Sequence, residues 1–206
     1  MRLGVPLDTV KAARLEQLLD ELQRWNRTYN LTAIRDRAAM VTHHVLDSLS
    51  IQADLRGRRI ADVGTGAGFP GLPLAIMNPQ RRFTLIDSNG KKIRFIEHAA
   101  RQLQLSNVEA LQQRVEDSRP AQPFDTVVTR ALAAVPRLLE LVQPLCDAHT
   151  RVLAMKGKWP QAELDQLKGP WRYPESHILN VPGIEEARCV IVLSRDVGSD
   201  AVGGDG

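Results

Sequence analysis

The stretch Ile60-Ala61-Asp62-Val63-Gly64-Thr65-Gly66-Ala67-Gly68-Phe69-Pro70-Gly71 decides the fold class. Its apolar start indicates a buried strand, which turns through closely spaced glycines into a helical segment. Glycine permits the tight turn and lets a ligand approach the backbone. In an open α/β sheet, the carboxyl end of the first strand is where a nucleotide-like ligand binds. The stretch therefore predicts a site for such a ligand, in preference to a glycine-rich surface turn.

Short β-rich runs alternate with helical segments after this loop. The alternation predicts an α/β fold of βαβ units, with a mainly parallel seven-stranded sheet and helices on both faces. The last two runs are joined by Pro182-Gly183 with no helix between them, which predicts an antiparallel hairpin. The predicted strands are 59–63, 82–87, 107–111, 124–129, 151–156, 176–181 and 189–194, and the predicted helices are 72–77, 90–103, 136–146 and 161–167.

The chain before the loop has a helical pattern instead. Five apolar residues recur at the spacing of one helix face, namely Leu15, Leu18, Leu19, Leu22 and Trp25. Asp8 and Asp36 are the candidate N-caps of two helices. We predict a helical appendage over residues 1–54 and the α/β domain over 55–196. The Gly/Asp-rich residues 197–206 are predicted to be a disordered tail.

Composition excludes several classes of protein. Of 206 residues, 27 are Lys or Arg and 24 are Asp or Glu, and the hydrophobic share of 43% is too high for a wholly disordered chain. Cys146 and Cys189 form no Cys-x-x-Cys motif, so we expect reduced thiols and no metal site. No apolar run approaches the roughly 20 residues of a membrane span, and the start has no signal-peptide pattern. We expect a cytoplasmic protein with no membrane partner.

Basic residues concentrate at three places: Arg56-Gly57-Arg58-Arg59, Arg81-Arg82 and Lys91-Lys92-Ile93-Arg94. Such patches attract polyanions and are typical of proteins that bind nucleic acid. Charge alone favours the plainer interpretation, which is solvated surface.

The glycine loop is compatible with more than one ligand. Gly66 to Gly71 also fits the GxGxxG pattern of dinucleotide sites, whereas no Gly-Lys-Ser/Thr follows to make a P-loop. The acid before the glycines, Asp62, favours S-adenosylmethionine. Asp87 ends the second predicted strand, where it can accept hydrogen bonds from the ribose hydroxyls of either cofactor. Asp87 therefore does not discriminate between them, and capping the next helix is its plainer role.

The chain resembles the bacterial small-subunit (16S) rRNA guanine-N7 methyltransferase family (RsmG, also called GidB), whose fold is the class I, Rossmann-like methyltransferase fold. The resemblance extends over about residues 25 to 195, and its ordered set of motifs is more specific than the glycine loop alone. These motifs are Asn30-Leu31-Thr32, His44-Val45-Leu46-Asp47-Ser48, Asp62 to Gly71, Leu85-Ile86-Asp87-Ser88, Lys91-Lys92, Arg114-Val115-Glu116, Thr129-Arg130-Ala131 and Lys156-Gly157.

The resemblance implies transfer of a methyl group from S-adenosylmethionine to N7 of a guanine in the 530 loop of 16S rRNA, at the equivalent of nucleotide 527. The substrate partner would be 16S rRNA or the small ribosomal subunit, and we expect a monomer. The cofactor-binding candidates are Gly64, Gly66, Gly68, Phe69, Asp87, Val115, Glu116 and Arg130. Tentative RNA contacts are Lys91, Lys92, Arg94 and Lys156. No catalytic residue is assigned, because guanine N7 needs no general base and transfer can be direct and in line.

Two alternatives stay open. The chain can be a class I methyltransferase that acts on a small molecule or a protein, with the helical appendage as a lid. A NAD-linked oxidoreductase is the other class, although no Tyr-x-x-x-Lys constellation is present. For His43 and His44, packing is favoured over catalysis, and Asp47 is favoured as a residue that orients the appendage.

Overall fold

A computed structural model describes residues 4–195, so the predicted tail lies outside the described residues. One eight-stranded sheet lies at its centre. Its strands are β1 (Arg59–Val63), β2 (Arg82–Asp87), β3 (Val108–Gln112), β4 (Thr126–Arg130), β5 (Arg151–Lys156), β6 (Trp171–Arg172), β7 (His177–Ile178) and β8 (Cys189–Arg195). Their order is β3-β2-β1-β4-β5-β8-β6, and β7 also pairs with β8.

Seven α-helices accompany the sheet in the described chain. They are α1 (Thr9–Tyr29), α2 (Arg37–Met40), α3 (Asp47–Leu49), α4 (Gly71–Met77), α5 (Gly90–Gln102), α6 (Val135–Val142) and α7 (Gln161–Leu164). A π-helical turn, Val41–Leu46, joins α2 to α3. Asp8 and Asp36 cap α1 and α2 through their side chains, as predicted. None of the helices in this part of the chain combines the length and apolarity that crossing a membrane requires.

Five neighbouring strands of the sheet are parallel to one another, in the order β3, β2, β1, β4 and β5. Strand β8 runs antiparallel to β5. Val63 lies opposite Ile86 on one side and Thr129 on the other, so β1, β2 and β4 end together. The glycine loop, Asp87 and Arg130 therefore meet at one edge of the sheet. The predicted fold class, a mainly parallel sheet with helices, is confirmed.

The structure differs from the prediction in detail. There are eight strands and not seven, because Trp171–Arg172 pairs with β8 over two residues. The predicted hairpin is present but is only two residues long on the β7 side. Helix α6 ends at Val142, where a 3₁₀ turn containing Pro144 follows. Proline has no N–H to continue the helical hydrogen bonds, which explains the early end.

Two apolar clusters cover the two faces of the sheet. Residues of β1 alternate between them, Ile60 facing one and Ala61 the other, as expected for a strand buried on both sides. The first cluster contains Leu18 and Leu22 of α1 together with Phe95 of α5. The N-terminal helices therefore share a core with one face of the sheet. The division of the chain at residues 54 and 55 stays a prediction.

Candidate active site

The loop after β1 has a backbone that favours glycine. Gly64, Gly66 and Gly68 have φ values of +64°, +62° and +86°, in the left-handed region that other residues rarely adopt. The N–H groups of Gly64 and Thr65 both donate to the Ile86 carbonyl, at 2.9 and 3.2 Å. The loop is thus attached to the end of the neighbouring strand.

The side chain of Asp62, in β1, holds the loop through two hydrogen bonds. Its Oδ2 accepts hydrogen bonds from Thr65 Oγ1 at 2.5 Å and from the Gly71 N–H at 2.7 Å. The side chain is buried, and burial raises the pKa of this carboxyl to about 6 although both hydrogen bonds act to lower it. Asp62 therefore connects the two ends of the loop.

Asp87 supports the same loop from β2. Its Oδ2 accepts from the Gly66 N–H at 2.9 Å, and its Oδ1 accepts from the Asn89 N–H at 2.8 Å. The N-cap of α5 is Asn89, which accepts from the Lys91 N–H, so the capping role considered for Asp87 falls to Asn89. A carboxylate has about four acceptor positions, so Asp87 keeps capacity for ribose hydroxyls.

A cavity of about 380 Å³, here called the first cavity, opens beside this loop. Five of the eight cofactor-binding candidates line it: Gly64, Asp87, Val115, Glu116 and Arg130. The other three are not among the residues that line it. Gly66 is hydrogen-bonded to Asp87, Gly68 faces Leu72 of α4, and Phe69 faces His44.

A second cavity, of about 410 Å³, shares Arg130 and Ala131 with the first cavity, since these two residues line both spaces. Ala131 has a φ of +56°, an uncommon value for a residue with a side chain. The second cavity has apolar walls from Ile34, Met155 and Leu179. Polar groups complete its lining: His43, His44, Asp47, Lys156 and Arg188.

Arg130 is held by the N-terminal segment. Its Nη1 donates to the His43 carbonyl and to Asp47 Oδ2, both at 2.9 Å. The buried Asp47 carboxylate also lies 3.3 Å from Arg188 Nε. The remaining guanidinium N–H groups of Arg130 have no hydrogen-bond partner among residues 4–195. Arg130 is thus oriented by Asp47 and retains donors for a ligand.

His44 is packed and uncharged. Its ring stacks on Phe69 with centroids 4.6 Å apart and 21° between the planes, and its Nε2 lies 3.0 Å from Thr32 Oγ1. Burial, followed by the nearby charge of Arg130, lowers the pKa of His44 to about 4. The imidazole is therefore neutral at neutral pH.

The four tentative RNA contacts have different surroundings. Lys91 and Arg94 are exposed on α5, and Lys92 lines the first cavity. Lys156 donates through Nζ to Glu163 Oε2 at 2.8 Å and to the Ala133 carbonyl at 2.9 Å. A phosphate at Lys156 would have to compete with Glu163.

Sequence reasoning missed two features of this site. Arg188 belongs to no recognised motif; it directly precedes β8, and its Nε lies 3.3 Å from Asp47 Oδ1. The side-chain amide of Asn26 makes two hydrogen bonds with the backbone of Thr32. Its Nδ2 donates to the Thr32 carbonyl at 3.0 Å, and its Oδ1 accepts from the Thr32 N–H at 2.9 Å. The position of Asn26 four residues after Leu22, on the apolar face of α1, is the signal that the sequence offered for this second feature.

The first cavity fits the cofactor that the resemblance implies. Its volume is in the range of small-molecule sites. Asp87 and Glu116 offer acceptors for hydroxyl groups, and Arg130 offers donors for a carboxylate. At Gly64, a Cβ would lie 2.7 Å from Leu132 Cδ1, so the wall is formed by bare backbone there.

Comparisons with known proteins agree with this geometry. The family model described as rRNA small subunit methyltransferase G matches residues 11–192. Proteins named "Ribosomal RNA small subunit methyltransferase G" from Ectopseudomonas mendocina and Saccharophagus degradans are 45% and 46% identical to this chain. Those alignments cover 95% and 90% of this chain, and 92% and 85% of the relatives.

Solved structures show the same fold. Magnesium protoporphyrin IX methyltransferase from Synechocystis PCC 6803, with bound SAM, superposes with a TM-score of 0.59 at 16% identity, over 93% of this chain and 99% of that one. A ribosomal protein L11 methylase from Lactobacillus delbrueckii superposes with a TM-score of 0.56 at 15% identity, over 73% and 76%. The family resemblance predicted from the motifs is confirmed. The chain belongs to the rRNA small subunit methyltransferase G family, and its cofactor is S-adenosylmethionine.

Proposed function

We propose that this protein methylates N7 of a guanine in 16S rRNA, in the 530 loop at the equivalent of nucleotide 527. The observation that carries the proposal is the pair of cavities that share Arg130 and Ala131. One cavity suits the cofactor, and the other is an adjacent space for the base. The names of the relatives support an rRNA of the small subunit as the substrate.

The residues of the first cavity hold the cofactor in this proposal. Asp87 and Glu116 accept hydrogen bonds from its hydroxyl groups, Val115 packs against its adenine, and Gly64 leaves room beside the backbone. The free donors of Arg130 bind its carboxylate. When bound, S-adenosylmethionine supplies an electrophilic methyl group on a sulfonium sulfur.

The chain has no proton to remove in this reaction, because guanine N7 carries a lone pair and no hydrogen. The product base is cationic, so an unpaired cation beside N7 would oppose the transition state. Arg130 and Lys156 each have a carboxylate within 3 Å, from Asp47 and Glu163. His44 is neutral. These pairings are suited to direct transfer with positioning as the main contribution of the protein.

Methyl incorporation from labelled S-adenosylmethionine tests the proposal. Naked 16S rRNA, small subunits from cells that lack the protein, and a cell extract treated with ribonuclease serve as three substrates. We expect label in the rRNA, either naked or within the subunit. Label found only in protein or small molecules of the treated extract would contradict the proposal and support the small-molecule or protein alternative.

A further inference from the structure

An exposed tryptophan stands beside the second cavity. Strand β5 ends at Lys156, and Met155 lies opposite Arg130 of β4, so the loop after β5 leaves the sheet at the edge that carries the glycine loop. Lys156 and Gly157 line the second cavity, and Trp159 follows two residues later. Two residues of chain span at most about 7 Å, which places the Trp159 backbone at the rim of that cavity.

The indole of Trp159 offers a surface to a ligand. The residue is 38% exposed, and among residues 4–195 no aromatic ring stacks on it and no cation lies over it. Of the Phe, Tyr and Trp residues in this range, only Tyr29 is also exposed, and it packs on Trp25 with ring centroids 5.2 Å apart. An exposed indole forgoes the free energy that its burial would contribute. Trp159 is thus the exposed ring of the described chain that lacks a stacking partner.

Two hydrogen bonds fix this ring without covering its faces. Trp159 Nε1 donates to Gln161 Oε1 at 3.2 Å, and Gln161 Nε2 donates to Asp165 Oδ1 at 2.7 Å. The indole N–H lies in the plane of the ring, so this hydrogen bond restricts rotation and occupies neither face. Pro160, between the two residues, restricts the backbone as well. A ring that is held in advance loses little conformational entropy when a ligand stacks on it.

The surroundings of the ring favour an anionic ligand with a flat group. Lys158 precedes Trp159 and is exposed. A Cβ on Gly157 would meet only the Ala187 carbonyl oxygen within 4 Å, at 3.9 Å, so the space between the loop and the cavity is open. A cation beside an exposed aromatic ring is typical of proteins that hold single-stranded nucleic acid, since the cation attracts phosphate and the ring stacks on a base.

A target base that leaves its stack creates a need for such a ring. Enzymes that modify a base extrude it into a pocket, so the bases on either side lose a stacking partner. Proteins that recognise single-stranded RNA stack its unpaired bases on aromatic side chains. A strand advances about 3.4 Å per nucleotide, so a base one or two positions from a guanine in the second cavity is within reach of Trp159.

We infer that Trp159 is a stacking platform for a base of the rRNA that lies one or two nucleotides from the target guanine, with Lys158 at an adjoining phosphate. This inference rests on the proposed function, because it concerns the same RNA. In this role Trp159 positions the strand and takes no part in methyl transfer itself.

Removing the ring and removing the base test the same contact. Small subunits are reconstituted with 16S rRNA that carries one abasic nucleotide, at one of the two positions on each side of the target guanine. For the native protein, we expect one of these substrates to bind about 5- to 100-fold more weakly than the intact subunit. For Trp159→Ala, the intact subunit should bind more weakly by a similar factor, and the same abasic position should cause no further loss. The value of kcat should change little, because stacking holds the ground state and the transition state alike.

Substitutions of graded chemistry separate stacking from bulk. Trp159→Tyr keeps an aromatic face and should bind the intact subunit nearly as the native protein does, whereas Trp159→Leu keeps apolar bulk alone and should bind nearly as weakly as Trp159→Ala. Tyr29→Ala, at the other exposed aromatic residue, should bind with native affinity. Calorimetric affinity for S-adenosylmethionine should be unchanged in Trp159→Ala.

Three results would overturn the inference. The first is native affinity of Trp159→Ala for the intact subunit. The second is a loss that adds in full to that of every abasic position, which would indicate a contact other than these bases, such as a ribosomal protein. The third is weakened S-adenosylmethionine binding in Trp159→Ala, which would assign the ring to covering the cofactor. Failure of the native protein to methylate the intact subunit would overturn the proposed function instead.

Discussion

Asp62 and Asp87 act on the same loop from two strands. The Asp62 carboxylate accepts hydrogen bonds from the Thr65 hydroxyl and the Gly71 N–H, and the Asp87 carboxylate accepts one from the Gly66 N–H. The two carboxylates thereby hold the glycine loop in its left-handed conformation. The buried Asp62 does this at a cost, because its pKa is raised to about 6 by desolvation.

The raised pKa of Asp62 predicts a specific dependence of stability on pH. Between about pH 4 and pH 6, the folded protein keeps a proton that the unfolded chain has released. This contribution to stability is therefore full below about pH 4 and is lost as pH rises through about 6. Relative to Asp62→Asn, the wild type should lose on the order of 3 kcal/mol of unfolding free energy across that window. Urea denaturation of both proteins at several pH values measures it, and a constant difference would contradict it.

Two glycines of the loop should fail in different ways when substituted. A Cβ on Gly66 would meet only Lys92 Nζ, at 3.9 Å, so the strain comes from φ alone and costs about 1–2 kcal/mol. A Cβ on Gly68 would lie 2.5 Å from Leu72 Cδ1 in the core. We expect Gly66→Val to weaken S-adenosylmethionine binding at least tenfold while remaining folded, and Gly68→Val to lose stability first. Calorimetry and thermal unfolding of both variants check this, and native affinity in a folded Gly66→Val would exclude this loop as the binding element.

At the scale of elements, the sequence predicted the parts that have a repeating pattern. The order of strands and helices from β1 to β5 follows from alternating apolar runs, and the loop after β1 from its glycines. Strand β6 was missed because two residues of pairing leave no periodic signal. The π-helical turn at Val41–Leu46 was missed because a shift from i+4 to i+5 bonding leaves the apolar pattern almost unchanged.

The site was predictable to the extent that it lies on strand ends. Parallel strands bring their carboxyl ends to one edge, so Gly64, Asp87 and Arg130 were expected together and are found together. The interactions between distant parts of the chain were not predictable in this way. The ion pair between Asp47 and Arg130 joins residues 83 positions apart, and it depends on how the N-terminal helices pack on the sheet.

The N-terminal helical segment should contribute to stability through Asp47. In Asp47→Ala, Arg130 and Arg188 both lose the carboxylate that pairs with them. Both guanidinium groups are about one-quarter exposed, so water partly replaces the lost partner. We therefore expect the free energy of unfolding to fall by about 1–3 kcal/mol. The exposed pair Arg137–Glu140 is the matched control, since Glu140→Ala should cost no more than about 0.5 kcal/mol. Urea denaturation compares the two. Equal small losses of unfolding free energy in Asp47→Ala and Glu140→Ala would contradict this prediction.

For the molecule as a whole, the basic spots lie at opposite ends of the sheet. Lys91 and Arg94 are near the start of α5, beside the edge of the sheet where the glycine loop, Asp87 and Arg130 meet. Arg59 and Arg82 are paired at the starts of β1 and β2, which form the other edge. The parallel topology thus separates patches that are equivalent by composition, and only the first adjoins the first cavity, which Lys92 lines.

The patch on α5 should contribute to RNA binding by neutralising phosphates. Replacing Lys91, Lys92 and Arg94 with alanine should reduce the slope of log affinity against log salt by about one for each phosphate that is no longer neutralised. Filter binding of 16S rRNA over a range of salt concentrations measures the slope. Alanine at three exposed arginines outside α5 should leave it unchanged, and these are Arg24, Arg27 and Arg137. An unchanged slope in the α5 variant would identify these residues as ordinary solvated surface.

The central claim is that this protein forms 7-methylguanine at one position of 16S rRNA. The most direct test maps 7-methylguanine in small-subunit rRNA from cells with and without the protein, by chemical cleavage at the methylated base. We expect one signal in the 530 loop to disappear without the protein, to return with the wild-type chain and to stay absent with Gly66→Val. A 7-methylguanine that persists in the 530 loop of cells lacking the protein would contradict the account.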